Sequence, residues 1–136
     1  MQLRSQVSVE YMLVMGFAAL LTIPLLLIYH TYSADSTDAV ATGQALQISR
    51  KITDASESVY YLGKPSQTTL KFNFPEGIQS TSVSGKEIVF KIKIQGGVTE
   101  VVQVSPVNIS GTLPTSPGIH VITVKAEDGY VKITSN

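Results

Sequence analysis

Hydrophobic and polar positions follow three different rhythms along this chain. From Tyr11 to Tyr29 there are nineteen residues without a charge, and only Gly16, Thr22 and Pro24 fall outside the hydrophobic set. That is close to the ~20 residues a helix needs to span a bilayer. Past Tyr32 the stretch Ser33-Ala34-Asp35-Ser36-Thr37-Asp38 is polar and rich in N-cap residue types, which predicts a break or a fresh helix start there. Ala45, Ile48, Ile52, Ala55, Val59 and Leu62 then recur at spacings of three and four, one apolar stripe along a helix. Gln44, Gln47, Arg50, Lys51, Asp54 and Glu57 lie opposite, with Arg50 and Asp54 spaced to pair. The stripe is too short for a coiled coil and is expected to lie on the domain that follows. Gly63 as C-cap, with Pro65 just beyond, ends the helix.

From Thr68 onward the period is two. Leu70, Phe72 and Phe74 alternate with Thr69, Lys71 and Asn73, and Ile88, Phe90, Ile92 and Ile94 alternate with mostly polar neighbours. Ile122 and Val124, then Val131 and Ile133, repeat the pattern. Each run reads as a strand with one buried face. Ser84-Gly85, Gly96-Gly97 and Asp128-Gly129 separate runs and favour tight hairpins. Six or seven strands are expected, near 68–74, 77–83, 87–95, 98–104, 107–112, 118–126 and 129–134. Short strands at this spacing predict a small antiparallel sandwich or barrel. The predicted class is α+β: a long N-terminal hydrophobic α-helix over 6–62 (apolar 11–29, amphipathic 39–62), followed by an antiparallel β-sandwich head over 66–136. A continuous rod from Gln6 to Leu62 would run roughly 85 Å.

Composition narrows the possibilities. At 136 residues the chain holds one small domain and a long anchor. The net charge is zero and no basic patch stands out, so no nucleic-acid partner is predicted. With no cysteine there is neither a disulfide nor a thiolate metal site, and the head must be held by its core and by neighbouring subunits.

Glu10 sits at the entrance of the apolar run. Moving a carboxylate into hydrocarbon costs roughly 2.5–3.5 kcal/mol on insertion scales, and intramembrane charges are functional by default. Three readings of the run compete. A cleaved secretory signal would cut near Ala39-Val40-Ala41, but that site lies some ten residues beyond the run, and the run exceeds the core length of such signals. A permanent single-span anchor fits the length. A helix that leaves the membrane and packs against identical helices also explains Glu10. Arg4 on the short N-terminal side favours a cytoplasmic N-terminus with the larger domain outside.

Arg4, then Gln6, Ser8 and Glu10 at alternate positions, then the long apolar helix, resemble the class III signal peptide of archaeal type IV-like pilins. The motif covers about nine residues, and the plan of helix followed by β-rich head covers the whole chain. The resemblance implies that a prepilin peptidase cuts between Ser5 and Gln6, removing residues 1–5 and keeping the apolar segment. Glu10 becomes the fifth residue of the mature chain. The chain departs from the family where Ser5 replaces the usual glycine or alanine before the cut. It departs again four residues after the glutamate, where the family has leucine and this chain has Val14, with Leu13 one earlier. Pro24 either kinks or loosens the helix in a filament, or is simply a proline tolerated in a membrane helix.

Candidate chemistry in the head is thin. His30 closes the apolar run, where an amphipathic ring suits an interface, and His120 lies in a strand. The two are not at ligand spacing, so no metal site and no cofactor are predicted. No nucleophile signature surrounds any serine, and no enzyme activity is predicted. Gly96-Gly97 is a hairpin, not a phosphate loop. Tyr60-Tyr61 either faces a subunit contact or covers the junction of helix and head. Asn108-Ile109-Ser110 is a sequon, which makes Asn108 a candidate for N-glycosylation; surface filaments of the family it resembles are commonly glycosylated.

The expectation is therefore a pilin-like structural subunit serving adhesion. It is held in the cell membrane as a precursor and then built into an extracellular filament on the cell surface. Gln6, Glu10 and Pro24 are the residues expected to act in assembly. The implied partners are identical subunits in a helical filament, the prepilin peptidase, and an assembly platform with its ATPase. The alternative is a membrane-anchored accessory or minor pilin-like protein of a surface filament or archaellum-type machine.

Overall fold

The computed structural model describes residues 3–136, and side chains for 7–33 and 35–136. One α-helix, α1 (Leu3–Leu62), is followed by five strands: β1 (Gln67–Phe74), β2 (Ile78–Ile94), β3 (Gly97–Gly111), β4 (Gly118–Ala126) and β5 (Val131–Ser135). The α+β class and the order of helix then strands are as expected. The chain divides into two compact units, one ending at Thr37 and the other comprising Asp38–Asn136.

The polar stretch 33–38 does not interrupt α1. Within it the Thr37 hydroxyl bonds back into the helix, as those of Thr31 and Thr42 do on either side. Thr37 Oγ1 donates to Ser33 O (3.1 Å), as Thr31 does to Leu27 O (3.1 Å) and Thr42 to Asp38 O (2.9 Å). The helix also continues through Pro24. It ends where Gly63 adopts φ 73°, a left-handed conformation that costs glycine nothing, and its N–H bonds to Val59 O and Tyr60 O.

Strands in the second unit hydrogen-bond in the order β1-β4-β5-β3-β2. All pairs are antiparallel except a short parallel contact of β3 with β5 over Ile109–Gly111. Gly96-Gly97 and Asp128-Gly129 lie at hairpin turns, as predicted. Ser84-Gly85 does not. The runs 77–83 and 87–95 both pair with β3 rather than with each other, so they join as one strand through a bulge between Gly85 and Glu87. The runs 98–104 and 107–112 likewise merge into β3. Five strands therefore replace the six or seven expected. At this bulge four residues of β3, 105–108, stand opposite Lys86 alone. Such bulges bend a strand and let it turn a corner. The bend in β2 is sharp: Lys93 N donates to Gly77 O at 2.8 Å. A straight strand would hold those residues about 50 Å apart. Phe74 of β1 also meets Phe90, with ring centroids 6.1 Å apart. The sheet thus curls until β1 and the second half of β2 share one core.

The core follows from the alternation. Phe72, Phe74, Ile88, Phe90, Ile92, Ile122, Val124, Val131 and Ile133 are buried in a single cluster, and Ala45, Ile48, Ile52 and Val59 of α1 belong to that same cluster. The stripe therefore packs on the head, as expected, with its edges revised. Ala55 is half-buried and Leu62 is 75% exposed. Ser49, Thr53 and Ser56 are buried beside the stripe. Ser49 and Ser56 satisfy their hydroxyls on Ala45 O (2.8 Å) and Ile52 O (2.7 Å), which makes them compatible with a dry core. Arg50 and Asp54 are both exposed, and among the described residues they form no ion pair.

Candidate functional site: the exposed apolar helix

Helix propensity builds the first unit. Leu, Met and Ala dominate 11–29, and straight-chain residues lose little freedom in a helix. Among the described residues, its apolar side chains stand open: Tyr11, Leu13, Val14, Phe17, Leu20, Leu21 and Leu25 to Tyr29 are all exposed. By length and composition this is one helix able to cross a membrane, and none of its apolar window is buried. Thr22 donates to Ala18 O at 2.7 Å, so its hydroxyl in the middle of the run is already satisfied by its own helix. That is the condition hydrocarbon imposes.

Glu10 and Ser8 are exposed on the turns before this run. Two residues apart on a helix means about 200° of rotation, so the two side chains do not face each other within one chain. Any bond between them has to join different copies. The side chains of Ser5 and Gln6 lie outside the described ones. Pro24 sits at mid-run with its side chain exposed. His30, Tyr29 and Tyr32 are all exposed at the run's far end.

In the head, the predicted site residues do not converge. His120 Nε2 lies 2.9 Å from Ser116 O and 3.2 Å from Ser116 Oγ. The carbonyl can only accept, so Nε2 carries the proton. It therefore cannot take one from the hydroxyl, and this pair is not a nucleophile and its base. The ring edge packs on Phe74 at 5.4 Å, a structural contact. Tyr60 and Tyr61 stack edge to face at 5.8 Å, Tyr61 74% exposed and Tyr60 37%. Asn108 is exposed on β3.

An ionic cluster, which the sequence reading missed, ties the end of α1 to the β4–β5 turn. Lys64 Nζ reaches Asp128 Oδ2 at 2.6 Å and Glu127 Oε2 at 3.3 Å, and Lys125 Nζ reaches Glu127 Oε1 at 3.2 Å. The hydrogen bond to Asp128, then that to Glu127, raises the Lys64 pKa. Those from Lys125 and then Lys64 lower that of Glu127. Lys64 is far in sequence from its acidic partners, so only the pairing of Ser66 with the end of β4 signals the approach.

Comparison with protein-family models, with curated proteins and with solved structures finds no match to this chain.

Proposed function

We propose that this chain is a structural subunit of an extracellular type IV-like filament, assembled through its apolar N-terminal helix and serving adhesion. One observation carries the reading: a single helix is fully exposed and apolar in its first half and is part of a folded head's core in its second half. Water is a poor solvent for that first half. It suits two environments, the bilayer and a bundle of identical helices. In the precursor, lipid holds it, with Glu10 near the cytoplasmic interface. Prepilin peptidase then cuts between Ser5 and Gln6, and an assembly platform with its ATPase extracts the subunit. In the filament the helices bury one another, at ~25 cal/mol per Å² of apolar surface, while the heads face out. Glu10 meets the N-terminal amine of a neighbour's Gln6. If Gln6 cyclises and loses that charge, Glu10 accepts a hydrogen bond from a neighbour's Ser8 instead.

A second reading is a membrane-anchored accessory protein with the same plan. The head completes its core with its own helix and so needs no neighbour to fold, which suits an isolated anchored copy. Mass spectrometry of the mature N-terminus from cell-surface material, with quantification in sheared filaments, tests both. A chain starting at Gln6 and dominating the sheared fraction is expected for the subunit. Processing at Gln6 with only trace abundance selects the accessory reading. An N-terminus near Asp35 or Val40 sinks both, because the apolar helix would have been discarded.

A further inference from the structure

The β3 segment from Val98 to Val104 has a ladder on one side only. It pairs with β2 without interruption, from Glu87 opposite Val104 to Ile94 opposite Gly97. On its other side β5 reaches only Ile109–Gly111, so among the described residues no strand pairs with 98–104 there. In an antiparallel pair, residues alternately bond to the partner strand and turn both backbone groups away from it. Lys93 sets the phase, because its N–H goes to Gly77 O at 2.8 Å and not to β3. Counting by twos, Lys91, Val89 and Glu87 turn away as well. So do the residues opposite them, Val98, Glu100, Val102 and Val104. Val104 O agrees with this phase, since it accepts from Gln103 Nε2 at 3.2 Å. Apart from that carbonyl, the edge offers donors and acceptors that the head's own ladder does not use.

The same residues carry a strip of valines on the outer face. Val98 is 52% exposed, Val102 49% and Val104 61%, and Val102 lies beside half-buried Val89 of β2. An exposed edge rich in β-branched residues is a template for another strand. Pro106, which has no N–H, closes the template at its far end.

We infer that this edge pairs with the same edge of a second copy, antiparallel and centred on Val101. The segment Val-Thr-Glu-Val-Val-Gln-Val matches itself when reversed. Val98 falls opposite the second copy's Val104, and half-buried Thr99 opposite half-buried Gln103. Buried Val101 meets its own counterpart. Only Glu100 falls opposite an unlike residue, Val102, and its carboxylate is drawn back to Lys91 at 2.8 Å. An isologous contact needs such self-complementarity, and a foreign strand would not require it. Helical stacking relates neighbouring heads by a rotation and a rise and supplies no two-fold between them. The pair therefore joins heads of separate filaments, or two anchored copies, and depends on neither reading of the function. So short an edge buries less than the ~1,200 Å² of a stable interface, so dilute heads stay monomeric and pairs form where copies are crowded or tethered.

The chain has no cysteine, so introduced thiols report the register. Full chains carrying Val98→Cys and full chains carrying Val104→Cys are mixed in detergent micelles at high protein concentration and oxidised. The register sets 98 opposite 104, whereas each position lies about 20 Å along the strand from its own counterpart. The mixture should therefore give several-fold more disulfide dimer than either variant alone. Adding Val102→Pro to both removes an N–H that the ladder with β2 does not use, and should abolish the dimer. Val102→Lys, which leaves the backbone intact and places a charge on the edge, should give the same loss. Equal cross-linking in all three samples, or none in the mixture, would overturn the self-pairing. A mixed dimer that persists in both Val102 variants would overturn the edge as its cause.

Discussion

Ile52→Ala is the most direct probe of whether the second half of α1 belongs to the head. Ile52 is 0% exposed and lies in the cluster with Ile88, Phe90 and Val124. The substitution removes three carbon groups, worth about 2.4 kcal/mol at ~0.8 kcal/mol each. The sheet cannot collapse fully onto the smaller side chain, so a cavity penalty adds, and about 3–4 kcal/mol is expected within the usual range of ~2–5. A domain of this size has only ~5–15 kcal/mol to lose. The assay is urea denaturation of residues 38–136, the unit that is compact by itself. With a slope of about 1.5 kcal/mol per molar, the midpoint should fall by roughly 2 M. Leu62→Ala, at a position 75% exposed, is the control and should change stability by less than about 0.5 kcal/mol. If Ile52→Ala costs under about 1 kcal/mol while the fold is retained, the stripe is not core of the head and must face other subunits.

Starting the chain at Lys64 removes Ile48, Ile52 and Val59 together; that head should aggregate, whereas a chain starting at Asp38 should be monomeric by light scattering. Gly111→Ala should abolish or severely weaken folding, seen as loss of the cooperative thermal transition. An added Cβ would fall on the Ile133 carbonyl, backbone that cannot step aside, at a φ of 150°. Glu10→Val should leave membrane insertion intact or improved, because a costly carboxylate is removed; filament yield by electron microscopy should drop sharply, and normal yield would refute its assembly role. Glu127 has a lowered pKa, so its pairing stabilises the fold above the ordinary carboxylate value and is lost as pH falls through the depressed one. Lys64, raised, contributes below the ordinary lysine value and loses its contribution as pH rises past it. Lys64→Met should therefore flatten the acid and alkaline limbs of a stability-versus-pH curve measured by denaturation.

Periodicity and punctuation in the sequence determined most of the elements. Nineteen residues without a charge can only be a helix seeking an apolar environment, and Gly63 stops that helix wherever the chain sits. Alternation located the strands and their inward faces, because a period of two leaves one face to bury. Local reasoning failed where the outcome depends on distant partners. Ser33–Asp38 holds good capping residues, but the helix runs through them and the Thr37 hydroxyl bonds to the carbonyl four residues back, and that choice was not legible from residue type. Ser84-Gly85 has the residues of a hairpin, yet both flanking runs pair with β3, and only the partner strand decides between a turn and a bulge. The parallel contact of β3 with β5, the return of Lys93 to Gly77, and the salt bridges of Lys64 are set by how the sheet curls. Ser49 and Ser56 read as polar and are buried, because a helix lets their hydroxyls bond to its own carbonyls. The valine strip reads in sequence as ordinary strand alternation. Only the tertiary structure shows that α1 fills the opposite face and leaves this one bare beside Asn108, because a curled sheet has just one inside.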